Sequence, residues 1–142
     1  MKIEVASGGV IVIKALDVWH VLLIRDMNNS WTFPKGIIEK NENPKEAALR
    51  EILEETGLTD LSYLASLSTI RYTYRKMGLI QKTVHYFLFR SSRETPPVPL
   101  PQKEEGISEA RWVTFEEAEA MLGYGETNQK LLKKAKIVIL KA

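Results

Sequence analysis

The sequence predicts an α/β fold in which a mixed β-sheet is flanked by about three helices. The first observation is a series of apolar runs rich in β-branched residues and bounded by glycine or polar turn residues. The second is a pair of segments that each combine a helix N-cap with a later glycine. The third is the order of these elements, which lacks the regular strand and helix alternation of parallel sheets. A chain of 142 residues can bury one sizeable core, so we expect a single domain over residues 1–142.

The N-terminal part is expected to form two strands, residues 10–14 and 19–24, joined by a turn over residues 15–18. Lys14 and Asp17 interrupt this apolar region, which therefore does not resemble a membrane span or a signal peptide. The sequence contains no cysteine, which excludes disulfides and thiolate chemistry. We therefore expect a cytoplasmic protein with no membrane partner.

The clearest helix in the sequence begins after Asn43. Asn43 is a favourable N-cap, Pro44 suits the first helical position, and Glu46 completes a capping box. Gly57 supplies the C-terminal stop. The apolar residues that fall at helical spacing, and are expected to cover the core, are Ala47, Ala48, Ile52 and Leu53.

The middle of the chain predicts a long antiparallel hairpin. Its strands are expected over residues 61–74 and 81–90, with the turn at residues 75–78. Residues 91–105 contain four prolines and are expected to form an extended loop that is ordered in part.

The C-terminal part predicts a short strand over residues 111–113 and two helices. Thr114 caps the first helix with Glu117 as its partner, and Gly123 is expected to end it. The last helix is expected over residues 128–140. Its lysines are typical of the solvated side of a terminal helix, although they would also suit contact with RNA. The residues expected to pack this helix against the core are Leu131, Leu132, Ile137 and Ile139.

Three carboxylates on the helix that follows Asn43 share one face. Glu51, Glu54 and Glu55 stand at i, i+3 and i+4, so their side chains project close together. Like charges at this spacing repel, and a divalent cation removes the repulsion. Mg²⁺ is the expected ion because it prefers oxygen ligands and bridges carboxylates to substrate phosphates, with Mn²⁺ as the alternative. Taken alone, three such glutamates are more often the solvated face of an amphipathic helix.

The glutamates belong to a longer pattern that resembles the signature of the Nudix hydrolases. Gly36 and Glu42 precede the run REILEETGL, residues 50–58, at the spacing of that signature. The resemblance implies a Nudix fold, an α/β/α sandwich that carries the signature on a loop, helix, loop unit. It also implies an enzyme that cleaves a nucleoside diphosphate linked to another moiety.

The resemblance implies a role for each residue of the pattern. Glu51, Glu54 and Glu55 match the glutamates that bind the divalent metals, and one of them is expected to act as general base toward water. The carbonyl of Gly36 is expected to join the metal ligands. Arg50 matches the arginine that orients a glutamate.

A further carboxylate is expected from a loop, because many members of the family add one before the last strand. Glu105 fits this position, and Glu104 is the alternative. Metal ions at such a cluster neutralise the phosphate chain and lower the pKa of a bound water for attack at phosphorus. Substitution at phosphorus then depends mainly on positioning and electrostatics.

Residues outside the signature are the candidates for substrate binding. Lys35 precedes Gly36 and would place an ammonium group beside a phosphate. On the hairpin, Tyr72 and Tyr74 share one face of their strand, and Lys82 and Tyr86 share one face of its partner. A base stacks well between such rings. The alternatives are a surface lysine and tyrosines that pack in the core.

The order of these features resembles the diadenosine tetraphosphate hydrolase branch of the family. The features are WTFPKG at residues 31–36, the signature itself, Tyr74, and KTVHYF at residues 82–87. The likeness implies asymmetric hydrolysis of diadenosine tetraphosphate to ATP and AMP. It also implies that an aromatic ring at Tyr74 or Tyr86 stacks on adenine and that Lys82 contacts phosphate.

Other activities remain alternatives at the level of sequence. Removal of pyrophosphate from RNA 5′ ends, cleavage of inositol pyrophosphates or of another nucleoside diphosphate derivative would use the same signature. A Nudix module that binds a ligand without turnover is a further alternative, although such modules are expected to lose a signature glutamate. The formal net charge of +2 gives no strong overall field, so a small nucleotide is favoured over RNA as the partner.

Overall fold

The computed structural model describes residues 1–93 and 95–141, and in these ranges it contains seven strands and three α-helices. The strands are β1 (Lys2–Ala15), β2 (Val18–Arg25), β3 (Trp31–Thr32), β4 (Lys35–Ile37), β5 (Leu61–Arg75), β6 (Leu79–Ser91) and β7 (Glu109–Thr114). The helices are α1 (Pro44–Thr56), α2 (Phe115–Met121) and α3 (Gly125–Lys141), and a short 3-10 turn covers Lys103–Glu105. Within those ranges, none of the helices has the length and apolar character needed to cross a bilayer.

All seven strands in the described residues join one mixed sheet with β1 at its centre. β1 runs parallel to β6, so that Gly8 lies opposite Tyr86, and antiparallel to β2 and β4. β5 and β6 form the antiparallel hairpin that the sequence predicts, with Tyr72 opposite Lys82. β3 and β7 both pair with β2. The predicted mixed sheet flanked by helices is therefore confirmed.

Alternate side chains of the central strands enter two separate cores. Val10 and Val12 face a core that α3 covers with Leu131 and Leu132. Ile11, which lies between those valines, faces a second core on the other side of the sheet. That second core also contains Leu22, Ala48, Ile52, Leu58 and Phe89. The sheet therefore lies between α1 on one face and α2 with α3 on the other.

The predicted caps of α1 are all present. The Asn43 side chain accepts a hydrogen bond from the Glu46 amide at 2.8 Å, and the Glu46 carboxylate accepts one from the Asn43 amide at 2.9 Å. Gly57 adopts the left-handed conformation with φ of 74°, and its amide donates to the Leu53 carbonyl. These contacts fix both ends of the helix that carries the three glutamates.

The buried faces of two helices differ from those predicted. Leu53 is 47% exposed, while Glu51 and Glu55 are buried beside Ile52. The face of α1 that is turned toward the protein therefore carries carboxylates next to its apolar side chains, because part of this face lies beyond the apolar core. On α3, Ile137 is 53% exposed, and Ala135 takes its place in the core.

β1 is longer than predicted because Gly8 and Gly9 lie inside the strand rather than before it. A Cβ atom on Gly9 would lie 2.7 Å from Cδ1 of Ile52 on α1. A Cβ atom on Gly8 would lie 2.5 Å from the Pro34 carbonyl oxygen. Glycine is required in this strand because a helix and a neighbouring chain segment approach its backbone closely.

Two helix boundaries in the C-terminal part also differ from those predicted. α2 ends with Leu122 as its cap, and the Gly123 amide instead donates to the Trp31 carbonyl at 2.9 Å. α3 begins at Gly125, before the predicted start at Asn128. The loop between the two helices is thereby tied to β3.

The proline-rich segment is held against α1 in the part that the structure describes, and Glu94 lies outside the described residues. The Leu100 amide donates to the Thr56 carbonyl at 2.8 Å, and the Gln102 amide donates to the Glu55 carbonyl at 3.3 Å. The Trp112 indole donates to the Pro97 carbonyl at 2.8 Å. These bonds carry the Lys103–Glu105 turn to the C-terminal end of α1.

Ile52→Ala should lower the free energy of unfolding by about 2–5 kcal/mol, because Ile52 is fully buried between α1 and the sheet. Urea unfolding followed by circular dichroism measures the change. Leu53→Ala is the matched control, and its half-exposed side chain should cost less than about 1 kcal/mol. Equal losses in the two variants would contradict the assignment of Ile52 to the core.

Candidate active site

Arg50 lies at the centre of a network of carboxylates. Its guanidinium donates two hydrogen bonds to Glu42, at 2.6 and 3.0 Å. Nη1 donates to Glu51 at 2.8 Å and to Glu54 at 3.1 Å, and Nη2 donates to the Ile37 carbonyl at 2.9 Å. One side chain therefore joins α1 to the segment before it and fixes two of the three signature glutamates.

The network shifts the ionisation of its members in opposite directions. The hydrogen bonds to Glu42 hold the pKa of Arg50 above its ordinary value, against the effect of partial burial. The bond from Arg50, assisted by the Glu39 amide, holds the pKa of Glu42 below its ordinary value. Both groups are therefore charged throughout the physiological range, and the arginine offsets part of the repulsion among the carboxylates.

Gly36 lies directly beneath the carboxylate of Glu51. A Cβ atom at this position would overlap the Glu51 carboxyl group, so glycine alone allows the glutamate to occupy its place. Glu51 is itself buried, with 8% of its surface exposed. The structure thus gives a steric reason for the glycine that begins the signature.

Carboxylate oxygens of Glu51, Glu54 and Glu105 all lie within 4.8 Å of one another. Two ligands of one Mg²⁺ ion, each at about 2.1 Å, lie no more than about 4.2 Å apart, so small side-chain rotations would complete a shared site. Glu104 lies in the same 3-10 turn but does not belong to this group, so the geometry favours Glu105 as the loop carboxylate.

Glu55 is the most deeply buried carboxylate of the site, with 5% of its surface exposed. Its Oε2 atom is buried and has no hydrogen-bond partner among the described residues. Burial, reinforced by the adjacent Glu51 carboxyl group, raises the pKa of Glu55 to about 9. A carboxylate in this position requires a proton or a cation, so the donor set as a whole fits a divalent metal.

Lys35 borders two cavities, and the smaller one is next to the acidic cluster of Glu51, Glu54 and Glu105. It borders a small cavity of about 190 Å³ whose wall includes Glu55 and Glu105. It also borders a cavity of about 480 Å³ formed by β5, β6 and the start of α3. Thr32 lines both spaces as well. The two cavities are therefore adjacent parts of one cleft.

The larger cavity has aromatic walls. Tyr86 is buried, and burial raises the pKa of its hydroxyl above the ordinary value. Tyr72 is 42% exposed and lines the same cavity from the neighbouring strand. The β5 and β6 register places Tyr72 opposite Lys82 and Ser68 opposite Tyr86, so both rings project from one face of the hairpin.

Two of the predicted substrate-binding residues lie outside the described lining of both cavities. The Tyr74 hydroxyl donates to Glu4 at 2.7 Å, and its ring centre lies 6.0 Å from that of Tyr72. Lys82 is half-buried, and burial, followed by the charge of Lys35, lowers its pKa. The structure thus brings Lys35, Tyr72 and Tyr86 together, whereas Tyr74 lies further along the hairpin and Lys82 lies opposite Tyr72 without lining either cavity.

The residues of the larger cavity that sequence reasoning missed include Tyr124, Asn128 and Thr32. Tyr124 lies between α2 and α3 with φ of 64°, and its hydroxyl donates to Asp26 and accepts from Asn28. The glycines on both sides of Tyr124 were a signal for an unusual turn. Nothing in the sequence indicated that this turn would meet the β2–β3 loop.

Comparison with known proteins agrees with this fold. The NUDIX domain family model matches residues 6–135. An RNA pyrophosphohydrolase from a Nitratiruptor species is 32% identical over 102 residues, which cover 65% of this chain and 63% of that protein. Nucleoside diphosphate-linked moiety X motif 6 of Mus musculus is 31% identical over 99 residues, covering 68% of this chain. The matches span 63% and 30% of the lengths of these two relatives.

Among solved structures, a C. elegans Ap4A hydrolase in a binary complex superimposes with a TM-score of 0.79. Its sequence is 25% identical to this chain, and the match covers 98% of this chain and 99% of that one. The likeness therefore extends over the cleft as well as the signature helix.

Arg50→Ala should destabilise the protein by about 2 kcal/mol or more at pH 7, because three partly buried carboxylates would lose their shared counter-charge. Since Arg50 lowers the pKa of Glu42, this stabilisation is present above the ordinary pKa of glutamate and is lost as pH falls through the lowered value. The difference from wild type should therefore shrink below about pH 4.5. Urea unfolding at pH 7 and below about pH 4.5 measures this difference in the free energy of unfolding.

Arg93→Ala is the control for this experiment. Arg93 forms an exposed ion pair with Asp60 at 3.6 Å, and its loss should cost less than about 1 kcal/mol at either pH. A loss in Arg50→Ala that does not change with pH would contradict an electrostatic role for the guanidinium.

Proposed function

The chain belongs to the Nudix family, and we propose that it is a metal-dependent hydrolase that cleaves diadenosine tetraphosphate asymmetrically to ATP and AMP. The observation that carries the proposal is the continuity of the cleft. An acidic cluster suited to metal and an aromatic cavity suited to a base meet at Lys35. A nucleoside polyphosphate has the same arrangement, with a planar base at one end and a charged phosphate chain at the other.

Glu51, Glu54 and Glu105 would hold the metal, with the backbone at Gly36 beside them. Mg²⁺ is the ion we propose, and Mn²⁺ is the alternative. When bound, such an ion supplies neutralisation of the phosphate charge and acidification of water.

Side chains of the protein are assigned the remaining roles in the proposed reaction. Arg50 fixes the carboxylates of Glu51 and Glu54, whereas the buried Glu55 makes no ion pair with it. Glu55 lines the smaller cavity and is therefore our choice for the group that accepts the proton of the attacking water, in the state where a bound cation rather than a proton would balance its charge. The Lys35 ammonium would hold the phosphate chain.

Base binding is assigned to the cavity residues rather than to the whole hairpin. Tyr72 and Tyr86 would contact the base, and the position of Tyr74 favours a supporting role behind Tyr72. Lys82 would act on the phosphate chain only through its charge, since it lies outside the cavity lining in the described residues.

The similarity to a C. elegans Ap4A hydrolase over the full length of both chains supports this substrate. The similarity to an RNA pyrophosphohydrolase favours a second candidate, removal of pyrophosphate from RNA 5′ ends. A binding module without turnover is less favoured, because the chain retains all three signature glutamates.

Incubation of the purified protein with diadenosine tetraphosphate and Mg²⁺ should yield ATP and AMP in equal amounts. Anion-exchange chromatography measures both products, and a sample with a metal chelator should yield none. Two equivalents of ADP would contradict asymmetric cleavage. Activity on triphosphorylated RNA alone would replace the first candidate with the second.

Glu54→Gln and Glu55→Gln should each lower kcat/KM by about a hundredfold, because each replaces a carboxyl group that could hold a metal or accept a proton with an amide of nearly the same size. Glu105→Gln should lower it by at least about tenfold, whereas Glu104→Gln should leave it unchanged. Steady-state kinetics measures all four variants. A larger loss in Glu104→Gln than in Glu105→Gln would reverse the assignment of the loop carboxylate.

A further inference from the structure

Asn128 is a buried amide at the wall of the larger cavity. It lies in the first turn of α3 and has 2% of its surface exposed. Its Nδ2 group donates one hydrogen bond to the Thr32 hydroxyl at 3.1 Å and another to the Gly123 carbonyl at 2.9 Å. Both hydrogens of the amide are therefore used within the protein.

These bonds fix the direction in which the amide points. A backbone carbonyl can only accept, so the group facing Gly123 must be the amide nitrogen. Rotating the side chain by half a turn would place Oδ1 against the Gly123 carbonyl oxygen and would lose a buried hydrogen bond. Oδ1 is thus a fixed acceptor, and both of the side-chain hydrogen bonds that Asn128 makes among the described residues are through Nδ2 instead.

We propose that Asn128 selects adenine by accepting a hydrogen bond from the 6-amino group of the base. This proposal deepens the proposed function and depends on it for the placement of a base in this cavity. The Thr32 hydroxyl accepts from Nδ2 and keeps its own hydrogen for donation. Asn128 and Thr32 both line the cavity, and together they present an acceptor and a donor. The Watson–Crick edge of adenine offers the complementary donor and acceptor.

The fixed amide gives a physical basis for rejecting 6-oxo purines. Hypoxanthine and guanine carry a carbonyl oxygen where adenine carries its amino group. That oxygen would meet Oδ1, and neither atom could donate. Since the amide cannot turn without losing its bond to Gly123, the mismatch would persist, and an unmet buried acceptor weakens binding by about tenfold or more.

Binding of three nucleoside monophosphates to the wild-type protein in Mg²⁺ buffer tests the proposal. The probes are AMP, IMP and the 5′-monophosphate of purine riboside, which lacks the 6-substituent. Isothermal titration calorimetry should show AMP binding at least about tenfold more tightly than either analogue. Equal affinities for the three probes, or no binding of AMP, would overturn the proposal.

Asn128→Ala should reduce the preference for AMP over IMP to within about threefold. Gln129→Ala is the matched control on the same helix, because its side chain bonds to the Glu119 carbonyl instead, and the preference should persist. A preference unchanged in Asn128→Ala would overturn the proposal. If the loss of the bonds to Thr32 and Gly123 prevents this variant from folding, the wild-type probe series still decides the question.

The binding series also separates this inference from the proposed function, because none of the three probes needs to be hydrolysed. AMP selectivity in a protein that does not cleave diadenosine tetraphosphate would support Asn128 and reject the proposed reaction. Asymmetric cleavage of diadenosine tetraphosphate without selectivity for AMP would support the proposed reaction and reject the role of Asn128.

Discussion

The ion-pair network of Arg50 is the constraint on which the site depends. Four carboxylates within ion-pair distance of one guanidinium, those of Glu39, Glu42, Glu51 and Glu54, would repel one another if the arginine were absent. With the arginine in place, Glu51 and Glu54 are held in defined positions, while Glu55 remains outside the network. The same side chain binds Glu42 and the Ile37 carbonyl, so the acidic face of α1 and the segment leading into it are positioned together.

Close backbone approach is the second condition for this arrangement. Gly9 allows Ile52 to pack against β1, and Gly36 allows the Glu51 carboxylate to lie over the chain that precedes α1. An alanine at either position would collide with these side chains, so Ile52 or Glu51 would have to leave its observed place. The helix that carries the carboxylates is thus held against the sheet by apolar packing in its middle and exposes its acidic residues at the edge of that contact.

The cleft forms where elements distant in the sequence converge. The proline-rich segment is bonded to the end of α1 and delivers Glu105, while the hairpin supplies Tyr72 and Tyr86. The loop between α2 and α3 is tied to β3, and Asn128 in the first turn of α3 lines the larger cavity. The larger cavity is therefore assembled from at least three parts of the chain, whereas most of the signature carboxylates lie on one helix.

The sequence by itself determined what depends on local spacing, and only the tertiary structure decided which residues meet across the cleft. The caps at Asn43 and Gly57 and the shared face of the three α1 glutamates follow from helical periodicity. The tertiary structure grouped Glu105 rather than Glu104 with those glutamates, placed Tyr72 rather than Tyr74 at the cavity, and left Leu53 beyond the edge of the sheet. Side-chain periodicity assigns a residue to a face of its own element, but it does not specify which residue of another element lies opposite that face, because that depends on the path of the loops.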